Sequence, residues 1–306
     1  MKRKSTYFSA GLVVTFLFTL SSIAQGSYLD VTDTGFTRLP ISARAMGMGG
    51  AFVAVADDYS ACYYNPAGLV HLQQRQLGTM YTDLYGLGLL SHSFLSFAEP
   101  DMGMGSGALS WSHLSANLEP ETWSYDLWAY SYANYLFNRE DFFISNSWGI
   151  NLKYLRQTTP HEDASGYSFD VSYLGKSEKL SWGICIQDVF SRIDWQTGHT
   201  DTLPLNIMLG IAFNLNQVAL IALDLDVSPT DILRGMRLGG EWELTRNIFF
   251  RAGLSQKLQK DENLNFSTGI GLGTDFLSAL NFVFNYAFTT STEFAGTHYL
   301  SFSFIF

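Results

Sequence analysis

From Arg75 to the end of the chain, apolar side chains recur at every second position, in segments of roughly ten residues separated by turn residues. A β-strand puts successive side chains on opposite faces, so this period makes one face apolar and the other polar or small. In Phe142–Tyr154 the even positions carry Phe142, Ile144, Trp148, Ile150, Leu152 and Tyr154, against Ser145, Ser147, Gly149, Asn151 and Lys153. Tyr167–Tyr173, Leu205–Leu215 and Asn281–Phe288 repeat the pattern. About fourteen such segments can be counted, beginning near Arg75, Gly88, Gly105, Thr122, Phe142, Gly166, Lys179, Leu203, Gln217, Arg234, Ile248, Asn263, Ala279 and Gly296. A repeated, even-numbered alternation of this kind predicts an all-β membrane protein, an antiparallel transmembrane β-barrel of about 14 strands.

Composition agrees. Only 15% of the 306 residues are charged and 15% are aromatic, yet the mean hydropathy is +0.06. Soluble domains carry about 25% charge. Polar residues facing a lumen, diluting apolar residues facing lipid, reconcile the numbers. The net charge of −10 leaves no basic patch for phosphates, so nucleic acid is not an expected partner.

An even strand number puts both barrel ends on the periplasmic side. The turns Phe137–Asp141, Gly175–Glu178, Thr245–Asn247 and Phe276–Ser278 are short, with Ala98–Met104 longer. The opposite set, Gln157–Ser165, Ser191–Thr202, Ser228–Leu233 and Thr289–Ala295, is longer on average, as outer loops are. The last strand alternates to Phe306, and a terminal aromatic resembles the signal read by the barrel assembly machinery. Residues 1–26 read as a signal peptide: basic Lys2-Arg3-Lys4, an apolar run Tyr7–Leu20, and small Ser22 and Ala24 before a cleavage site.

The alternation does not cover residues 27–74, which form the expected N-terminal hatch. Their centre, Ala43–Val70, is ARAMGMGGAFVAVADDYSACYYNPAGLV. Glycine and alanine allow close backbone packing, and Asn65-Pro66 followed by Ala67-Gly68 favours a sharp turn. The stretch is too short to be a domain and needs the barrel as its container.

ARAMGMGGAFVAVADD followed by YYNPAGL resembles the amino-terminal segment of PorV/PorQ-type outer-membrane proteins, which are related to the FadL family of hydrophobic-compound transporters. The resemblance implies a small hatch plugging a fourteen-stranded barrel in the outer membrane of a diderm bacterium. It implies passive transport of small hydrophobic compounds, or, alternatively, a PorV-like accessory role in type IX secretion with secreted cargo proteins as partners. In the first case Met46, Met48, Phe52, Tyr59, Tyr63 and Tyr64 offer an apolar pocket; the plainer alternative is packing against the wall. Asp57 and Asp58 are expected to bridge to Arg237 or Arg251, or to cap a hatch helix.

If apolar positions face lipid, Asp170, Asp224, Asp226, Arg237, Glu241, Glu243, Arg251 and Lys257 face the lumen. They form either a polar path beside the plug or a structural ion-pair network. Gly235–Gly240 and Gly269–Gly273 are glycine-dense, which marks either a lateral route for solute or room for the hatch. No nucleophile motif is present, and the histidines are scattered. Cys62 and Cys185 have no ligand partner at metal spacing and read as small buried hydrophobes in preference to a disulfide. Asp261-Glu262 lacks the glycine of a calcium loop. No catalytic residue, metal or cofactor is expected.

Overall fold

The computed structural model describes residues 39–118, 120–136, 144–216, 218–229, 233–258, 264–277, 280–290 and 296–306. The export segment, the turn Phe137–Asp141 and Asp261-Glu262 therefore lie wholly or largely outside the described residues.

Fourteen long antiparallel strands close into a barrel. They are β1 (Gln76–Leu84), β2 (Leu90–Glu99), β3 (Ser106–Leu118), β4 (Glu121–Tyr135), β5 (Ser145–Thr158), β6 (Asp163–Lys176), β7 (Leu180–Trp195), β9 (Asn206–Asn216), β10 (Ala219–Val227), β11 (Gly235–Thr245), β12 (Ile248–Lys257), β13 (Leu264–Leu277), β14 (Leu280–Thr289) and β15 (Thr297–Ile305). A two-residue β8 (Thr200–Asp201) pairs only with β7. Neighbours in sequence pair throughout, and β1 pairs with β15, Gln76 opposite Ile305 and Asp83 opposite His298. Pairing of β1 with β15 leaves the sheet no free first or last strand, the condition for a sheet to stand in lipid. No helix among the described residues is long and apolar enough to cross a membrane.

The period-two pattern sets the register. On β10, Ile221, Leu223 and Leu225 face outward while Ala222, Asp224 and Asp226 are buried in the lumen. Outward residues such as Leu152, Tyr154, Phe213 and Leu215 are each more than half accessible or close to it.

The strands run farther than the loop estimates allowed. Gln157–Ser165 is mostly strand, with residues 159–162 between β5 and β6, and Ser191–Thr202 is largely the end of β7 with its β8 hairpin. Alternation continues through Tyr154, Arg156, Ser165 and Tyr167 with polar instead of apolar outward residues, so a count by apolar period stops early.

One wall is irregular. Between Phe169 and Val171 of β6 the register with β7 shifts: Phe169 faces Phe190 and Val171 faces Ile186. Gln187, Asp188 and Val189 bulge opposite Asp170, and Asp188 takes a left-handed φ of 58°. Beyond Gln187↔Asn206, β7 has no further pairing with β9.

The main core is the hatch itself. Ile41, Met48, Phe52, Ala54, Tyr59 and Leu69 are buried in the lumen with Met80 and Phe94 of the wall. A smaller lumen cluster, Leu127, Leu155, Ile193 and Leu203, lies among β4, β5 and β7.

Candidate functional site

The hatch crosses the lumen from wall to wall. Helix α1 (Ala43–Gly47) lies against β12–β15, while the 3₁₀ turn Pro66–His71 lies against β3–β6, with α2 (Ala61–Tyr64) joining it. Ser42 caps α1 by accepting from the Ala45 N–H. Gly49 and Gly50 then reverse the chain at φ 66° and 83°, a conformation open to glycine.

Close approach explains the glycines of the wall. Gly239 and Gly253 are cross-strand partners, and a side chain on either would strike the Met48–Gly49 backbone. Gly269 touches Gly47. These positions make room for the hatch. Gly271 is different: its lumen space holds the Arg251 guanidinium and Asn285, so the lateral route expected along Gly269–Gly273 is filled at this position. The ladders at Gly235–Gly240 and Gly269–Gly273 are unbroken.

Polar ties fix the hatch at three places. At the first, Arg44 presents one edge of its guanidinium to Glu241 (Nε and Nη2, 2.9 and 2.8 Å). Its Nη1 donates to Asp57 at 2.7 Å and Asp58 at 3.0 Å. Arg251 donates to the same Glu241 at 2.6 Å and to Asn285 at 2.9 Å. Lys176 stands 3.9 Å from Asp57. Charges thus run from β6 through the hatch to β11 and β12, and the Asn285 amide extends the network to β14. Burial opposes charge on Asp57, but Arg44 and Lys176 outweigh it and hold the carboxyl below its ordinary range. The acid pair therefore bridges to Arg44, not to Arg237 or Arg251; Asp58 also accepts from the Ser60 backbone and hydroxyl, as a cap does.

At the second tie, the buried Asp224 carboxyl accepts from the Phe52 and Val53 N–H groups at 2.7 and 2.9 Å. Such hydrogen bonds contribute about 0.5–1.5 kcal/mol each. Beside it Arg237 forks onto Asp226. At the third, Asn65 donates to Val53 O (2.8 Å) and Tyr173 O (3.2 Å) and accepts from Ala67 N–H. Pro66 opens the 3₁₀ turn, where its missing N–H is no loss. Asn151 and Gln187 donate to the carbonyls of Cys62 and Tyr63. Asn151 is also held by Asp170, which pairs with Lys153 at 2.6 Å, and Lys153 reaches Asp188 at 3.1 Å.

Met48 and Phe52 are wholly enclosed, Tyr64 nearly so, and Met46 and Tyr63 are partly buried against the same core. Phe52 lies under Arg44 and edge-on to Tyr64. Of the eight charges expected to face the lumen, Asp170, Asp224, Asp226 and Arg251 are buried there, Arg237 and Glu241 pair with Asp226 and Arg44, and Lys257 is exposed. Arg44 was missed, although it is the single basic residue of Ala43–Val70 and shares that stretch with two acids. Cys62 and Cys185 are buried and free. Among the described residues no group of three His, Cys, Asp or Glu is placed to hold a metal.

No protein-family description matches the chain, and no curated protein matches it. Solved structures do. A CymD monoaromatic hydrocarbon channel aligns at TM-score 0.61 and 13% identity, over 88% of this chain and 98% of that one. A Pseudomonas aeruginosa FadL homologue aligns at 0.58 and 11%, over 88% and 98%. The Pseudomonas putida toluene transporter TodX aligns at 0.54 and 10%, over 86% and 97%. At these identities the likeness is one of fold: a closed fourteen-stranded barrel of the FadL type. None of these three is a PorV- or PorQ-type protein.

Proposed function

We propose that the protein is an outer-membrane channel for small hydrophobic compounds, with Ala43–Val70 as the plug that closes its lumen to ions and polar solutes. The observation that carries this reading is the closed lumen itself: a hatch tied to facing walls by Arg44, Asp224 and Asn65. An outward face of aliphatic and aromatic side chains supports a membrane location. Two of the structural neighbours, a monoaromatic hydrocarbon channel and a toluene transporter, support the solute class. Phe306, on the outward-facing side of the closing strand pair, is the proposed contact for the barrel assembly machinery, and residues 1–26 the export signal.

A charged lumen is a poor path for an apolar molecule, since stripping water from each buried charge costs several kcal/mol. We assign the exit to the wall beside the β7 bulge. There the β6–β7 ladder is interrupted, β7 leaves β9, and Val189 and Phe190 face outward. This replaces the Gly269–Gly273 strand as the route. A PorV-like role in secretion draws no support from the neighbours.

The test is uptake of radiolabelled toluene by intact cells, normalised to heat-modifiable folded protein. The proposal expects faster toluene entry with no gain for a polar solute of similar size. Equal entry with and without the protein would overturn it.

A further inference from the structure

The outward face is not equally apolar around the barrel. On β10 it reads Ala219, Ile221, Leu223, Leu225, Val227, an apolar run of eight residue steps. At about 3.4 Å per residue this is about 27 Å, or about 21 Å along the membrane normal for strands tilted ~40°. Met236 to Leu244 on β11 has the same span. The outward run on β4 is Trp128, Tyr130 and Tyr132, half as long and made only of aromatics. On β3 it is Leu109 and Trp111, and on β2 Leu95 and Phe97.

Polar groups bound these short runs. Ser93, His113, Asp126, Arg156 and Ser165 are successive cross-strand neighbours on β2 to β6, all outward. Asp126 accepts from Trp111 Nε1 at 2.9 Å, and His113 Nδ1 lies 2.9 Å from the same oxygen. At the other end of β2, Glu99 pairs with Arg75 at 2.7 Å. Ser93 and Glu99 are six residue steps apart, about 20 Å along the strand and about 15 Å along the normal. The apolar band of such barrels is about 25 Å tall. Tyrosine and tryptophan belong at the headgroup level, and on β4 they fill the whole apolar run with no aliphatic layer between.

We propose that the protein thins the bilayer beside β2–β4, drawing both headgroup layers toward the wall that the 3₁₀ turn of the hatch backs on β3 and β4. A mismatch between apolar height and bilayer is relieved by local thinning when the protein is the shorter partner. The occupant of this polar face is thus the lipid headgroup layer. The inference rests on the outer-membrane reading above and adds an asymmetry to it.

Site-directed spin labels on the intact chain in dimyristoylphosphatidylcholine vesicles test it; buried Cys62 and Cys185 leave the introduced cysteine as the reactive one. Ser93→Cys and Glu99→Cys read the two ends of β2, and Ile221→Cys and Val227→Cys read two positions equally far apart on β10. Should Glu99→Cys impair folding, Arg75→Cys reads the same level. The expected result is that both β2 labels collide more with a water-soluble nickel complex than with oxygen, and both β10 labels the reverse. One β2 label in lipid would mean a displaced barrel in an undeformed bilayer, and would overturn the proposal. Both β2 labels shielded from both reagents would mean a covering protein, a second copy included, and would also overturn it. Wet labels on β10 would instead bring down the membrane reading itself.

Discussion

Arg44→Ala removes the cation on which three carboxylates converge. Glu241 keeps Arg251 at 2.6 Å, and Asp57 keeps only Lys176 at 3.9 Å. Removing one partner of a buried ion pair costs about 3–5 kcal/mol because the other charge is stranded. The Arg44 side chain is 18% accessible and Asp57 34%, so water relieves part of that and the low end, about 3 kcal/mol, applies. Asp224 still holds Phe52 and Val53, Asn65 holds the far part of the hatch, and the strand ladders are untouched. The loss therefore falls on local opening of residues 43–51, where 3 kcal/mol is roughly a hundredfold or more in the opening equilibrium. Amide hydrogen exchange of the folded barrel in detergent, read by mass spectrometry, measures it. Exchange should rise by that factor in the peptide carrying residues 43–51 and stay unchanged in β3–β6. Arg44→Lys should recover only part of the protection, since an ammonium group lacks the planar fork that serves Glu241 and the acid pair together. Unchanged exchange in Arg44→Ala would refute the view that this guanidinium ties the hatch down.

Asp224→Ala should free the Phe52 and Val53 N–H groups and increase conductance in planar bilayers, while Asp224→Asn, keeping one acceptor oxygen, should do so less. Asn65-Pro66 replaced by Ala-Ala should loosen the plug more than it lowers barrel yield, seen as raised conductance with normal heat-modifiability. Gly271→Trp should reduce the folded fraction on gels, because even a Cβ there would stand 2.8 Å from Arg251 and from Asn285; normal folding would show that Arg251 yields. Asp57 has a carboxyl pKa lowered from 3.8, so its tie is fully present above that value and is lost as pH falls beneath it. Channels should stay closed from neutral pH down to about pH 4 and open more often below it.

The barrel was legible because the outward and lumen faces carry opposite chemistry on alternate residues, as in Leu223-Asp224-Leu225-Asp226, and because the period restarts after each turn. The hatch was legible as a break in that period with its own small-residue content. The anchoring pattern was less so. Arg44 and Glu241 are 197 residues apart, and nothing local says which of several lumen charges a guanidinium will meet. Gly271 looked like Gly269 in sequence, yet one faces hatch backbone and the other an arginine of the neighbouring strand. That difference depends on registry across β12 and β13. The β7 bulge was hidden for the same reason: Gln187-Asp188-Val189 carries no glycine or proline to mark it.

Single-channel recording in planar bilayers reads whether the hatch seals the lumen. The parent protein should be electrically near-silent at neutral pH, and the double variant Arg44→Ala, Asp224→Ala should conduct in discrete steps. A parent that conducts steadily like an open pore, with a double variant indistinguishable from it, would contradict the account.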